Sequence, residues 1–379
     1  MFRGPSKPIR IIDLFSGAGG FSLGFHNANL GYETILAVEI DRWAAQTIQN
    51  NLHCKVDCSS IQDLSSFPDA DVVVGGPPCQ GFSTLGSRRE EDPRNELLWD
   101  FIRVVRGLQP KVFLIENVPG ILSARQFHNF KAYTLSDSIL RKYSLAYSVL
   151  NAADYGVPQR RSRAFIIGIK GQEGISWPPP VTHASNLLNT LPHRTVRDAI
   201  ADLPFETDGF DVRINALGGQ HLHFGRNPTQ KSLERYRAVP RGGNRFDLAR
   251  NRPDLLPECW RKKLSGTTDV MGRMWWDRPS PTIRTEFFKP EKGRYLHPEA
   301  DRPITHREAA RLQGFPDSYV FAGKKIEIAR QIGNAVPPAL AQAIAIHIHS
   351  VAFAATSPVV GVQSCIGSHQ PSDKCLLCV

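Results

Sequence analysis

A chain of 379 residues exceeds one ordinary domain and falls short of three, so one large domain with a smaller companion is the natural expectation. Its 41% hydrophobic and 22% charged residues exclude a disordered or fibrous chain, and the formal charge of +10 suits a polyanionic partner without requiring one. Seven scattered cysteines do not make the disulfide framework of a small secreted fold, no apolar leader region precedes the first β-type run, and the apolar stretch 341–355 is broken by His347, His349 and Ser350. A cytoplasmic protein with no membrane partner is therefore expected.

In chain order, β-branched runs at Ile9–Phe15, Thr34–Glu39, Asp71–Val74, Lys111–Glu116, Tyr147–Asn151 and Arg163–Ile169 read as strands. Amphipathic patterns between them predict helices over Phe21–Asn29, Arg42–Asn51, Glu96–Leu108 and Leu135–Lys142. This alternation specifies an α/β fold with a doubly wound, mostly parallel sheet, which places ligands at the carboxyl ends of its strands. From about residue 174 periodicity fades, Trp177-Pro-Pro-Pro180 breaks the pattern, and residues 175–300 hold twenty Lys or Arg against fourteen Asp or Glu. A second, smaller, irregular domain is expected there. A Thr305-x-x-Glu308 capping box opens a helix to Leu312, and another helix follows Pro337-Pro338. The expected divisions are 1–172, 173–300, a return into the first domain over 301–350, and a flexible tail over 351–379. The tail's Cys365, His369, Cys375 and Cys378 match no common zinc spacing, so no metal site is expected.

Four stretches carry candidate chemistry. The first strand runs into Asp13-Leu-Phe15-Ser-Gly17-Ala-Gly19-Gly20, and the second ends in Glu39-Ile40-Asp41. Glycines there let a cofactor approach the backbone and an acid can hold a ribose diol, a pairing that equally suits a nicotinamide dehydrogenase. Next, Gly75-Gly76-Pro77-Pro78-Cys79-Gln80-Gly81-Phe82-Ser83 puts a thiol after two prolines of fixed φ at a strand end. Glu116-Asn117-Val118 ends the adjacent strand, and Gln159-Arg160-Arg161-Ser162-Arg163 opens the last one, where alternation points Arg161 and Arg163 the same way.

With Arg307-Glu-Ala-Ala-Arg-Leu-Gln-Gly-Phe-Pro-Asp317 and Gln331-Ile-Gly-Asn334-Ala-Val336-Pro-Pro338, these motifs resemble the DNA (cytosine-5)-methyltransferase family in order, spacing and wording. The resemblance covers about residues 8–172 and 278–348, and the segment between occupies the place of that family's variable target-recognition domain. It implies S-adenosyl-L-methionine as cofactor and double-stranded DNA as partner. Phe15, Gly17, Gly19, Gly20, Glu39, Ile40, Pro78, Leu97, Asn334 and Val336 fall at its cofactor positions. Its adenine-holding Asp-Ile pair has no clean counterpart, since Ser60-Ile61 lacks the acid, and Asp57, although it sits early, is the cofactor candidate for that place.

By the same resemblance Cys79 is the nucleophile that adds to carbon 6 of cytosine, Glu116 engages ring nitrogen 3 and the exocyclic amine, Arg163 binds the carbonyl oxygen, and Arg161 supports the carboxylate and nearby backbone. A cationic setting is expected to help ionise the thiol. The base must leave the duplex stack to reach the cleft. Residues 81–95 read as a mobile lid. Eleven Lys or Arg against four acids over residues 225–263, among them Arg235, Arg237, Arg241, Arg245, Arg250 and Arg252, suggest phosphate contact. Gly218-Gly219 and Gly242-Gly243 serve either as ordinary turns or for close approach to a groove. The alternative is an RNA (tRNA) cytosine-5 methyltransferase of the same family, which the long intervening segment and Gly81-Phe82-Ser83 disfavour. A nucleoid-associated monomer is expected, and the presence of a cognate restriction endonuclease is left open.

Overall fold

The computed structural model describes residues 7–78, 96–214, 219–262 and 269–354. Cys79, the expected lid, Gly218 and the chain from residue 355 onward lie outside the described residues. Seven strands, β1 (Ile9–Leu14), β2 (Tyr32–Val38), β3 (Lys55–Asp57), β4 (Val72–Gly75), β5 (Val112–Asn117), β6 (Tyr143–Asn151) and β7 (Ser162–Lys170), form one sheet in the order β3-β2-β1-β4-β5-β7-β6. The first five run parallel, and β7 lies antiparallel between β5 and β6.

Period-two alternation sends successive apolar side chains to opposite faces, and both faces are covered, so the strands read as unbroken apolar runs. On one face Ile11, Val72, Val74 and Phe165 pack under α1 (Gly20–Asn27), and α11 (Pro338–Ile348) adds Leu340, Ala341 and Ile344. On the other, Ile12, Val73, Phe113 and Ile166 pack against α3 (Glu96–Leu108) and α4 (Arg125–Ser136), while α2 (Arg42–Asn51) flanks β2 and β3. Gly24 permits the α1–α11 contact, because a Cβ there would stand 2.4 Å from the Ala341 Cβ. By length and composition alone Lys325–Phe353 could cross a membrane. It is instead α10 (Lys325–Asn334), a break at 335–337 and α11, whose apolar face fills this core.

The predicted bounds of α2 and α3 agree with the structure, and Thr305 caps α9 (His306–Gln313) in the expected box with Glu308. The helix predicted over Leu135–Lys142 is a correction. It runs over Arg125–Ser136 and stops because the Asp137 carboxylate accepts from the main-chain nitrogens of Ile139 and Leu140, both at 2.9 Å, turning the chain into β6. The three-residue β3 and the whole of α10 were not expected. Nor does the chain lose structure at 350, since Phe353 packs on Tyr32 with Lys111 over its ring.

Between β7 and α9 lie α5 (Val196–Ile200), the short pair β8 (Arg213–Ile214) and β9 (Gln220–His221), α6 (Gln230–Ala238), α7 (Arg245–Asn251) and α8 (Glu258–Lys262). Two cores hold this part. Val196, Ile200, Leu222 and Phe224 share one with Ile304, Leu312, Phe315 and Ile332, so the expected division at residue 300 runs through a single packed unit. A smaller core gathers Tyr236, Val239, Leu248, Leu255, Met271 and Leu296.

Candidate active site

The carboxyl ends of β1, β2, β4 and β5 open into a cavity of about 470 Å³ that also touches α10 and the segment after it. The turn after β1 shapes its floor. Phe15 and Gly17 both take positive φ (56° and 55°), and a Cβ on Gly17 would meet nothing within 4 Å, so this turn presents bare backbone to the cavity. The Glu39 carboxylate accepts from the Gly17 nitrogen at 2.7 Å and the Asp41 nitrogen at 2.8 Å. Burial raises the Glu39 pKa, while those two backbone donors oppose the shift. Ile40, next in sequence, is 71% exposed although apolar. Beneath the turn Asp13 is fully buried, accepts from the Ser22 hydroxyl at 2.6 Å, leaves its second oxygen unpartnered, and is pushed up to about 7 by loss of solvation.

Of the expected cofactor residues, Phe15, Gly17, Gly20, Glu39, Ile40, Pro78, Leu97, Asn334 and Val336 line this one cavity. Gly19 and Asp57 do not. Gly19 begins α1 in the left-handed conformation, turned toward Leu52 and the Tyr319 hydroxyl. Asp57 accepts from the Ser59 hydroxyl at 2.6 Å, leaving Ser59, Ser60 and Ile61 to line the cavity in its place. Gly20 is required by the protein itself, because a Cβ there would stand 2.1 Å from the Val336 carbonyl oxygen. The sequence reading missed Asn117, Arg330 and Gln331 on the wall, although Asn117 and Gln331 sat inside quoted motifs.

At the other end of the same cavity Arg163 Nε lies 3.0 Å from Glu116 Oε1, with both side chains mostly buried. Desolvation raises the Glu116 pKa, and the nearby charges of Arg163 and Arg161 oppose it. Gly76 makes room, since a Cβ there would stand 3.1 Å from Glu116 Oε2. The Asn117 amide donates to the Pro77 carbonyl at 3.1 Å and so ties the end of β5 to the chain after β4. Of the support expected from Arg161, the carboxylate contact falls to Arg163 and the backbone contact stays with Arg161. Arg163 takes the carboxylate, whereas Arg161, 2% exposed, donates to the carbonyls of Ile283 at 3.1 Å and Gly333 at 2.9 Å. Burial pushes Arg161 down to about 9, which still leaves it charged at neutral pH. It is a cationic staple joining the start of β7 to Ile283 and to Gly333 in the cavity wall. Among the described residues no group of three or more His, Cys, Asp or Glu is placed to hold a metal.

Several arginines of the expected phosphate surface over 225–263 are already engaged within the protein. Arg237, Arg241, Arg250 and Arg252 each lie within 4 Å of a carboxylate, and Arg235 donates to the Leu255 carbonyl at 2.7 Å. Gly242 and Gly243 are structural, because a Cβ on Gly242 would stand 2.3 Å from the Trp275 indole nitrogen and one on Gly243 would meet the Pro240 ring at 2.8 Å.

Residues 9–350 match the family described as C-5 cytosine-specific DNA methylase. The Type II methyltransferase M1.HphI of Haemophilus parahaemolyticus is 40% identical, covering 88% of this chain and 85% of its own. The Type II methyltransferase M.DdeI of Desulfomicrobium norvegicum is 35% identical over 89% of this chain and 88% of its own. Among solved structures, a DNA modification methyltransferase encoded within an E. coli prophage superposes with a TM-score of 0.68 at 27% identity, covering 90% of this chain and 99% of the other. The S. pombe Dnmt2 methyltransferase, at 16% identity and a TM-score of 0.55, shares the fold. The cleft, its paired Glu116 and Arg163, and these relatives together place the chain in the C-5 cytosine-specific DNA methylase family, as a DNA (cytosine-5)-methyltransferase.

Proposed function

We propose that the chain methylates carbon 5 of a cytosine extruded from duplex DNA, with S-adenosylmethionine as methyl donor and Cys79 as covalent nucleophile. The observation that carries this reading is that one cavity joins two chemically different ends, a bare glycine turn with Glu39 and a buried carboxyl–guanidinium pair at Glu116 and Arg163. The first end suits the donor. Gly17 offers open backbone, the Glu39 carboxylate can accept from a ribose diol, and exposed Ile40 gives an adenine ring an apolar face. The cavity also lies in the size range of small-molecule sites. When bound, S-adenosylmethionine supplies an electrophilic methyl group.

The second end suits the base. Carbon 5 of cytosine is a weak nucleophile until a thiolate adds at carbon 6, and Pro77-Pro78 lead the chain directly to Cys79. Addition places negative charge on the ring, and Glu116, its pKa raised by burial, can protonate or hydrogen-bond ring nitrogen 3 as that charge develops. Arg163 holds the carboxyl in place, and in this reading it also binds the base's carbonyl oxygen. The expected division of labour among domains, with residues 173–300 reading the target sequence, belongs to the same proposal. A modification role within a restriction–modification system follows from the Type II relatives.

The test uses duplex DNA in which cytosine carries fluorine at carbon 5. Once carbon 5 is methylated, elimination would have to remove fluorine as a cation, so the adduct persists. The protein should remain joined to DNA through denaturing electrophoresis only with S-adenosylmethionine present, with the link mapping to Cys79. A link at Cys54 or Cys58, or wild-type methylation by Cys79→Ser, would overturn the mechanism.

A further inference from the structure

The seam between the sheet and the recognition segment carries a feature not used above. Residues 278–284 run along residues 158–161 as a ladder. Ser280 N donates to the Pro158 carbonyl at 2.9 Å, Arg160 N to the Ser280 carbonyl at 2.8 Å, and the Thr282 hydroxyl to the Arg160 carbonyl at 2.9 Å. The fully buried Gln159 side chain accepts from Ile283 N at 2.9 Å, and Arg161 completes the seam through the Ile283 carbonyl. Gly333 presses on its far end, where a Cβ would stand 2.4 Å from Thr285 N.

Three guanidinium groups leave this ladder into solvent: Arg160, Arg278 and Arg284, all exposed. Among the described residues none of the three has a carboxylate within ion-pairing distance. Of the other exposed arginines between β7 and α9, Arg197, Arg213, Arg237, Arg241, Arg250 and Arg252 all do, and Arg226 and Arg261 donate to main-chain carbonyls instead. Arg194, likewise without a carboxylate within that distance among the described residues, is not part of this ladder. Two of the three are attached through the backbone to residues of the cleft wall. Arg160 adjoins Arg161, and Arg284 packs its backbone against Gly333, both of which line the cavity. The third, Arg278, lies over the Trp275 ring at 4.8 Å, at the recognition end of the ladder. Stacking preorganises a guanidinium while leaving its donors free.

We propose that Arg160, Arg278 and Arg284 form a phosphate-binding line that holds the DNA strand on either side of the extruded cytidine. This rests on the reading that a base enters the Glu116 end of the cleft. A strand with one nucleotide in that cleft and its neighbours at the recognition segment has to cross the seam between them. Unpaired cations fixed on that seam neutralise its phosphates with no carboxylate to displace, and a guanidinium can engage a phosphate through two hydrogen bonds.

The experiment measures binding of a labelled mixed-sequence duplex by fluorescence anisotropy across a KCl series. Each of Arg160→Ala, Arg278→Ala and Arg284→Ala should make the slope of log affinity against log salt shallower by about 0.9, and the triple variant by nearly three times that. The corresponding lysine variants should keep the wild-type slope, which a packing role would not predict. Arg250→Ala and Arg252→Ala, exposed but already paired, should leave it unchanged. S-adenosylmethionine affinity and thermal denaturation are read in parallel to establish that each variant is folded. A wild-type slope in the triple variant, or an equal loss in the paired controls, overturns the proposal. Failure of the wild-type protein to form the fluorocytosine adduct would instead count against the reading of the cleft.

Discussion

At the end of the sheet Arg163 pairs with one buried carboxyl, Glu116, whereas in the segment between β7 and α9 Arg273 and Arg294 surround main-chain carbonyls, as Arg161 does where that segment meets the sheet. Arg273 is buried and donates to the carbonyls of Tyr236, Val239, His297, Glu299 and Ala300 and to Asp301, drawing the end of α6 and the 297–301 turn onto one side chain. Arg294 does the same for Gly242, Gly243 and Arg273 while its guanidinium lies 3.8 Å over Trp275. The sheet supplies its own backbone partners, so Arg163 is left to a carboxyl and only Arg161, at the seam, is spent on carbonyls. Among the described residues between β7 and α9 the strands are two residues long, and the loops use arginine to satisfy carbonyls that no ladder reaches. A positive balance in sequence therefore measures two different things, and only unpaired cations report a DNA surface.

The sharpest test of that contrast is functional against structural loss. Glu116→Gln keeps the shape of the cleft but removes the titratable acid and its charge pairing with Arg163. Methylation should fall by about 10²–10⁴, with S-adenosylmethionine affinity and the denaturation midpoint close to wild type. Turnover within a few-fold of wild type would show that the pair is architecture, like Arg273.

Arg273→Ala should give the opposite pattern. It leaves six acceptors without their donor, and breaking such a buried charged network costs about 3–5 kcal/mol. Denaturant titration should show this loss of stability. The protein that remains folded should keep normal affinity for S-adenosylmethionine, because Arg273 touches nothing in the cavity. A drop in cofactor affinity with unchanged stability would remove the distinction.

How much of this was readable from sequence follows the same division. The strand ends, the glycine turn, Glu39 and Glu116 were legible because apolar periodicity fixes where strands stop and a doubly wound sheet fixes where their ends face. The helix placed at Leu135–Lys142 went wrong because one side chain, Asp137, captures two backbone donors, a local competition that periodicity does not record. Asp57 was read toward the cavity although it turns to Ser59, and three residues of β3 are too few to show alternation. The roles of Arg273, Arg294 and Gly242 depend on chain segments 20 to 50 residues away meeting in space, and no local pattern carries that.

Asp13 tests the cleft side through pH. Its carboxyl holds a proton up to about pH 7 in the folded protein, against an ordinary value of 3.8 once unfolded. Between those values the unfolded chain has released a proton that the folded chain retains. Asp13's contribution therefore falls as pH rises from about 4 to 7, levelling off above, by an amount on the order of 3–4 kcal/mol. Asp13→Asn cannot ionise, so the difference in stability between variant and wild type should move in the variant's favour across that window. A difference independent of pH would mean that Asp13 stays ionised in the fold, and with it that the floor of the cleft is better solvated than its burial implies.

The smallest expected effect sits at the start of α7, where one carboxylate serves both kinds of role. Asp247 Oδ2 accepts from Asn244 N at 2.9 Å to complete a capping box, while Oδ1 lies 3.5 Å from Arg250, whose side chain is 77% exposed. An exposed pair of this kind gains little over two solvated charges, so Arg250→Ala should change stability by no more than about 0.5 kcal/mol. Asp247→Ala removes the cap as well, returns the Asn244 donor to solvent, and should cost about 1 kcal/mol. If the two variants lose equal stability, the ion pair rather than the cap holds the helix, and the exposed arginines of the recognition segment would then be structural in the same sense as Arg273. If only Asp247→Ala loses stability, their charges are bystanders to the fold, which leaves Arg160, Arg278 and Arg284 distinguished by standing on the seam ladder with no carboxylate partner among the described residues.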